Sequence, residues 1–147
     1  MMYLIGIGIF LAFVVFLTFV ASGYALYIDF PSVIVILGMT IPVLMASGLI
    51  KDFVNGFKLM NQREVMFSKM EIHKIVIAVT LGIRTILVSS FLGVLAGGIT
   101  ILAQLSTIES ILPSLSVDFI ILFYGLIFIT ILLPIRAKAE AVLKTMD

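Results

Sequence analysis

The residues of this sequence that could carry chemistry are few, and most of them are hydroxyls within apolar segments. Ser89, Ser90, Thr100 and Thr130 each lie in a run of apolar residues. A serine or threonine in such a run commonly bonds the carbonyl four residues earlier in its own helix, so a structural role is the first expectation for each. The adjacent pair Ser89 and Ser90 shifts that balance toward function, because both fall on a face of small residues.

Charged side chains near the apolar segments are fewer still. Arg84 lies beside one segment, and its long stem can carry the guanidinium to the membrane surface. Asp118 stands near the start of the last segment, where a negative charge suits a helix dipole, although it could also attract cations to an ion entrance. A path for protons or Na⁺ normally needs a carboxylate at membrane depth. If this protein conducts ions, we therefore expect another chain to supply the acid.

The side-chain combinations of an enzyme or a metal site are missing from the sequence. It has no cysteine and one histidine, and it shows no paired carboxylates, no nucleophile with a base and no phosphate-binding glycine loop. We therefore expect no catalytic residue, no metal and no cofactor. The net charge of +1, without basic runs among aromatics, argues against nucleic-acid binding.

One apolar segment, residues 85–105, has an unusually bare side. On a helix Ser89, Gly93 and Gly97 fall four residues apart, with Ser90 and Gly98 beside them. A face without large side chains allows another helix to approach closely, as in the small-xxx-small packing of membrane helices. That helix could belong to the same chain or to a partner subunit, and the pattern leaves both open.

The composition places these residues in a membrane protein. Of 147 residues, 63% are hydrophobic and 12% charged, whereas soluble domains are about half apolar and about a quarter charged. Four apolar segments account for most of the length, so we predict an all-α fold with four transmembrane helices and no sizeable soluble domain. The predicted spans are residues 2–27, 32–50, 85–105 and 117–135. No basic n-region opens the first span, so we expect it to remain uncleaved.

Helical patterns also extend beyond the spans. Apolar residues from Ile50 to Met60 keep helical spacing, so the second helix is predicted to continue into water. Asn61 and Glu64 have the spacing of a capping box, which predicts a helix from Gln62 through to residue 105. That helix would be about 65 Å long, roughly twice the hydrocarbon thickness, so its first half must project. Residues 51–84 are thus predicted to form a helical hairpin outside the membrane.

Other cap and proline signals define the remaining turns. Pro31 suits the first turn of the second span, and Asp29 before it is predicted to be a surface charge. Ser106-Thr107-Ile108-Glu109 is a second capping-box pattern, whose short helix would end at Pro113. Ser116 would then cap the last span, which puts Asp118 in its first turn.

The basic residues orient the chain. All nine lysines and arginines lie in or beside the segment between the second and third spans, or after the fourth. The opposite side carries only acidic residues, namely Asp29, Glu109 and Asp118. By the positive-inside rule both termini and the central segment face the cytoplasm.

Three stretches resemble one family of membrane proteins. Residues 29–40, DFPSVIVILGMT, resemble the hairpin and second-span opening of flagellar stator A subunits, although Met39 replaces a usual glycine. Residues 124–138 are similar to that family's Tyr-Gly to Leu-Pro-Ile ending, with an interval one residue shorter. Residues 89–94, SSFLGV, are similar to its third-span segment, with serine in place of threonine. The chain therefore resembles the MotA/TolQ/ExbB proton-channel family.

The resemblance implies a homo-pentamer in the bacterial cytoplasmic (inner) membrane, surrounded by lipid. Its subunits would enclose two copies of a single-span MotB- or ExbD-like partner, whose membrane aspartate carries the ion. The third and fourth spans would line the central space, and ion passage would turn the ring around the partner. The partner- or pore-facing residues implied on this interpretation are Ser89, Ser90, Gly93, Gly97, Gly125, Thr130 and Pro134.

Departures from the family's sequence pattern limit which of the family's properties we expect in this chain. Only about 24 residues run from Lys51 to Lys74, so we do not expect this surface to dock on a flagellar rotor. Ile121 and Leu122 stand where many relatives carry threonines, which favours protons over Na⁺. The alternative is a four-helix membrane scaffold or assembly subunit without ion flux. A small solute transporter is disfavoured, because no midplane acid or broken inverted repeat is evident.

Overall fold

The computed structural model describes residues 2–22, 28–61, 67–104 and 111–146, and every regular element within them is a helix. The five helices are α1, Met2–Ser22; α2, Phe30–Ala46; α3, Ile50–Asn61; α4, Lys69–Gln104; and α5, Ile111–Thr145. Three of them are long and apolar enough to cross a membrane, and α2 together with α3 forms a fourth, bent candidate. The predicted all-α, multi-pass membrane architecture is confirmed.

The antiparallel pair of α4 and α5 is the backbone of the fold. With 36 and 35 residues, the two helices are each more than about 50 Å long at 1.5 Å per residue. Gly97 lies opposite Asp118, and Val79 lies beside Ile135. Between residues 79 and 97 the pair covers about 27 Å, close to the hydrocarbon thickness of a bilayer. Both helices then continue past the paired stretch on the side that carries the basic residues.

A compact apolar core lies at this basic end, where α3 packs across α4 and α5. Its fully buried members include Leu59, Ile72, Ile75 and Ile135. Gly56 of α3 permits the contact, since a Cβ there would lie 3.0 Å from a methyl of Ile135. The end of α3 is held by Lys138 of α5, whose Nζ donates to the carbonyl of Leu59 at 2.6 Å. A cation at a helix C-terminus also suits the dipole.

The corner between α2 and α3 overturns the prediction of a continuous second helix. α2 ends at Ala46, and α3 leaves it at a bend of 109°. The Leu49 N–H donates to the Leu44 carbonyl at 3.1 Å and the Gly48 N–H to the Met45 carbonyl at 2.9 Å, which is a Schellman motif. Gly48 has a φ of +70°, a conformation that other residues adopt only with strain. The predicted extension was wrong because this glycine terminates the helix.

The start of α4 also differs from the sequence prediction. Asn61 is the last residue of α3 and not a helix cap, while residues 62–66 lie outside the described part of the chain. The capping box is instead Ser68 with Glu71: the Ser68 N–H donates to Glu71 Oε2 at 2.8 Å, and the Glu71 N–H to Ser68 Oγ at 3.4 Å. Helix α4 therefore begins at Lys69, later than predicted, and still projects well beyond a membrane thickness.

Helix α5 begins earlier than predicted. It starts at Ile111, so Pro113 is its third residue and does not end a preceding helix. A proline is tolerated there because the first-turn N–H groups have no partner within the helix. The second predicted capping box, residues 106–109, lies outside the described residues. Asp118 is consequently the eighth residue of α5, and its predicted place in the first turn was wrong.

Helix α1 is the most loosely attached element. Among its described side chains only Thr18 is buried, and residues 23–27 of the predicted first span lie outside the described chain. Its anchor to α5 is Tyr3, whose hydroxyl donates to the Ile131 carbonyl at 3.1 Å. At the opposite end the Asp29 N–H donates to the Tyr124 hydroxyl at 3.4 Å, and Asp29 is half-buried there. Pro31 occupies the first turn of α2, as predicted.

We expect Gly48→Ala to lower the free energy of unfolding by about 1–2 kcal/mol, because alanine is strained at positive φ. Denaturant titration of the purified protein in detergent micelles measures it. Gly38→Ala is the matched control: Gly38 lies inside α2 with open space around it, so this change should leave stability equal or higher. Equal effects of the two substitutions would contradict the role assigned to Gly48.

Candidate functional site

The bare face of α4 lies against α5 of the same chain. A Cβ at Gly97 would collide with the carboxylate of Asp118, and one at Gly93 would collide with the δ-methyl of Ile121. One turn nearer the basic end the glycine is on α5 and the larger residue on α4. A Cβ at Gly125 would collide with Ser90 Oγ and lie 2.9 Å from Ser90 Cβ. We call these contacts the α4–α5 seam. Each is a small residue facing a larger one, which allows the two backbones to approach closely.

The two adjacent serines of α4 are both buried, and Ser90 lies in the seam. Ser89 and Ser90 are 2% and 1% exposed. The Ser90 hydroxyl donates to the Ile86 carbonyl at 2.8 Å, which satisfies it within its own helix. Thr100 and Thr130 bond the carbonyls of Ala96 and Leu126 in the same manner, at 2.9 and 2.8 Å. The expected bond to the carbonyl four residues earlier is confirmed for these three hydroxyls, while their role stays a prediction.

Asp118 is the polar residue of the seam with an unsatisfied atom. Its carboxylate packs on Gly97, and its Oδ2 is buried without a hydrogen bond to any described residue. Buried polar atoms are nearly always paired, so such an atom marks either a cost in stability or a site that something else completes. The helix-dipole explanation is wrong, because Asp118 lies two turns inside α5. A role at an ion entrance stays a prediction.

The structure divides the predicted partner-facing residues into two groups. Ser90, Gly93, Gly97 and Gly125 share the seam, where the chain's own α5 or α4 covers them, and Ser89 beside Ser90 is buried as well. The other group lies on the far side of α5. A role of either group toward a partner stays a prediction.

That second group faces helix α1. Thr130 and Pro134 line a groove of about 420 Å³ together with Tyr3, Phe10 and other residues of α1. Helix α5 continues through Pro134 to Thr145, so this proline does not end the helix. The groove is therefore a space between helices of one chain, on the side of α5 away from the seam.

An exposed stripe on α4 is a surface that sequence reasoning missed. It consists of apolar residues spaced alternately four and three apart, with exposures between 48% and 75%: Val88, Leu92, Leu95, Ile99 and Leu102. This 3.5-residue spacing brings them onto one side of the helix, away from the seam. The spacing was visible in the sequence, but a helix that is apolar all round does not reveal which side the chain itself covers.

Neither similarity to known proteins nor a group of metal ligands assigns a function to this site. Comparison of the chain with family models, curated proteins and solved structures found no match. Within residues 2–22, 28–61, 67–104 and 111–146, no group of three or more histidines or acids could hold a metal ion. The site must therefore be interpreted from its own geometry.

We expect Gly125→Ala to lower the free energy of unfolding by about 1–3 kcal/mol, the usual cost of overpacking. Its new methyl group meets Ser90 Cβ, which cannot rotate away. Combining it with Ser90→Gly should recover most of the loss, because that change removes both atoms in the way. Unfolding titrations of the single and double variants in detergent measure the coupling.

Gly98→Ala is the control for the seam, since Gly98 neighbours Gly97 but has open space beside it. It should be neutral or slightly stabilising. If Gly98→Ala destabilises as much as Gly125→Ala, or if Ser90→Gly gives no rescue, the close approach of α4 and α5 at this level is not as described.

We expect Asp118→Asn to raise the free energy of unfolding by about 1–3 kcal/mol, because it removes a carboxylate whose buried oxygen has no partner among the described residues. The same titration of the purified variant measures the change. Asp29→Asn is the comparison, since the Asp29 carboxylate accepts a hydrogen bond from Ser32 Oγ and should gain nothing. A loss of stability in Asp118→Asn would show that the carboxylate has a partner in the assembled protein.

Proposed function

We propose that this chain is the multi-helix subunit of an ion-driven motor or energy-transducing channel of the MotA/TolQ/ExbB type. It would form a homo-pentamer around a single-span partner in a bacterial inner membrane, and protons are the proposed ion. The observation that carries the proposal is the α4–α5 pair. Two helices remain paired across a membrane thickness and then project together on the basic side, as a unit that lines a central space and transmits force would require.

The distribution of polar groups supports a partner that supplies the acid. The hydroxyls of Ser90, Thr100 and Thr130 are each bonded to their own helix, so they are poorly placed to bind an ion. Asp118 is the acidic residue of the α4–α5 seam, and it lies near the end opposite the basic residues. This position suits a residue at an ion entrance better than a residue that carries the ion at the membrane midplane. The carrier would then be an aspartate of the partner helix, as the resemblance implies.

The surface offered to neighbouring chains is the exposed stripe of α4. The seam is already filled by α5, whereas Val88, Leu95 and Ile99 are more than half exposed. An apolar stripe at 3.5-residue spacing suits a helix of another subunit or of the partner. On this proposal the bare face holds α4 and α5 together as one rigid pair, and the stripe is the moving contact.

One observation favours the alternative, a four-helix membrane scaffold without ion flux. The face of small residues that suggested a moving interface is covered by α5 of the same chain. Static packing between α4 and α5 therefore explains why these residues are small. The two functions differ in the partner that they need. A motor subunit requires a single-span chain with a membrane acid, whereas a scaffold does not.

The deciding experiment is purification from native membranes in a mild detergent, followed by mass spectrometry and cryo-electron microscopy. The proposal expects a ring of copies of this chain around a second chain that has one span and a membrane aspartate. Reconstituted into vesicles with a pH-sensitive dye, that complex should take up protons down a gradient. A stable complex without any single-span chain, or without flux, would instead support the scaffold.

Leu95→Trp tests the stripe within that complex. A tryptophan on the stripe should reduce proton uptake at least about tenfold while the chain still folds, because a bulky ring obstructs a contact that must slide. Ile9→Trp, on the equally exposed outer side of α1, is the control and should retain uptake. Wild-type flux in Leu95→Trp, with assembly intact, would exclude the stripe as the moving contact.

Gly93→Leu tests whether the seam, like the stripe, moves during proton flux. The leucine side chain would collide with Ile121 across the seam, so the structure predicts a loss of folding and not a selective loss of flux. Thermal unfolding of the purified variant, measured beside its proton uptake, distinguishes the two. A folded Gly93→Leu protein without flux would mean that the seam itself opens during the working cycle.

A further inference from the structure

An apolar cleft lies at the corner where the chain turns from α2 into α3. It has a volume of about 460 Å³, within the range of about 300–1,000 Å³ that is common for small-molecule sites. Its walls include Leu37, Ile41 and Leu44 from α2 and Phe53, Val54 and Phe57 from α3. The one hydroxyl in the described wall, Thr40, donates to the Ile36 carbonyl at 2.7 Å. The cleft therefore offers no polar group to a ligand within it.

The bend of the chain fixes where this cleft lies in the membrane. If α2 crosses the bilayer, the turn of 109° sends α3 along the membrane surface. Helix α3 is amphipathic, with Phe53, Val54 and Phe57 on the side of the cleft and Gly56 and Leu59 packed on α4 and α5. Interfacial helices of this kind bury an apolar side among acyl chains and keep their charges at the headgroups. The mouth of the cleft thus lies at headgroup depth.

Two lysines of α3 lie beside the cleft wall on the helix surface next to Val54, and we call this edge the lip of the cleft. Lys51 and Lys58 are both exposed and seven residues apart, so they lie two turns apart on one side of α3, within about 60° of Val54 around the helix axis. Neither has an ion-pair partner among the described residues. Asp52 lies on a different side, nearer to the packed residue Leu59. The lip therefore carries two positive charges that no described residue neutralises locally.

We propose that this corner is a binding site for an anionic phospholipid. One acyl chain fills the cleft, and the phosphate of the headgroup binds between Lys51 and Lys58. A single lipid molecule supplies both an apolar chain without polar groups and a negative charge at the right depth, which is the complement that the cleft and its lip require. This inference uses only the geometry of the cleft and of α3, so it stands independently of the proposed ion-driven function.

A tryptophan at the lip reports on the occupant. The chain has no tryptophan of its own, and Val54 is 49% exposed at the wall of the cleft. The full-length Val54→Trp protein is reconstituted into phosphatidylcholine vesicles that contain a small fraction of phosphatidylglycerol with brominated acyl chains. Quenching is compared with that by the same fraction of brominated phosphatidylcholine. Ile9→Trp on α1 serves as the reference for ordinary lipid contact.

The expected result is selective quenching by the anionic lipid. In Val54→Trp, brominated phosphatidylglycerol should bind at least about tenfold more tightly than brominated phosphatidylcholine, since each lysine near an anionic headgroup contributes roughly fivefold. Adding Lys51→Gln and Lys58→Gln should reduce the preference to less than about twofold. The matched control adds Lys74→Gln and Lys144→Gln, which remove two charges away from the cleft, and should keep the preference. The Ile9→Trp protein should show no comparable preference.

Two outcomes would overturn the proposal. Equal quenching of Val54→Trp by both lipids would mean that the cleft contacts ordinary bilayer lipid without selection. Absence of quenching by either lipid would mean that another chain or a second copy covers it. If Val54→Trp fails to fold, native mass spectrometry of the unaltered chain with added phosphatidylglycerol decides instead, since retention of lipid that Lys51→Gln with Lys58→Gln abolishes supports the site and unchanged retention overturns it.

Discussion

The close approach of α4 and α5 is the contact on which the rest of this structure depends. Two helices of this length can pack along a membrane thickness only if side chains are nearly absent where their axes come closest. Gly93 and Gly97 on one helix and Gly125 on the other provide that space, and Ser90 fills what remains. Lipid tails are as apolar as the helices, so close packing and not hydrophobic burial holds the pair together within the bilayer.

The other elements are placed by this pair. Helix α3 crosses its basic end through Gly56 and is tied there by Lys138, while α2 reaches it through the sharp turn at Gly48. Helix α1 touches it at Tyr3 and otherwise exposes its apolar side chains. Burial is therefore concentrated at the basic end, where the helices leave the bilayer. Toward the opposite end most of the described apolar side chains are exposed, which suits lipid or further protein chains.

This arrangement gives the bare face and the exposed stripe of α4 different surroundings. The bare face packs on α5 of the same chain, and the stripe is exposed in the described structure. Asp118 lies inside the seam, near the end of the pair opposite the basic residues, and its buried Oδ2 has no hydrogen bond to any described residue. An acid in that position costs stability in the isolated chain.

The sequence by itself determined the class and outline of the protein. An apolar content of 63% and four long apolar runs leave membrane helices as the only way to satisfy the backbone. The distribution of basic residues predicts their orientation in the membrane. The small side chains within residues 85–105 identified the face that another helix approaches. These properties follow from composition and from spacing along a single helix, so no knowledge of long-range contacts was needed.

Tertiary structure decided which helix covers that face, where the helices begin and end, and which way the chain turns after α2. Several glycines and several Ser-x-x-Glu or Asn-x-x-Glu patterns compete in the sequence, and only the folded backbone selects Gly48 for the turn and Ser68 for the cap. A helix that is apolar on all sides carries no signal for its buried side. Its partner is chosen by the fit of side chains across the seam, which depends on residues far apart in the sequence.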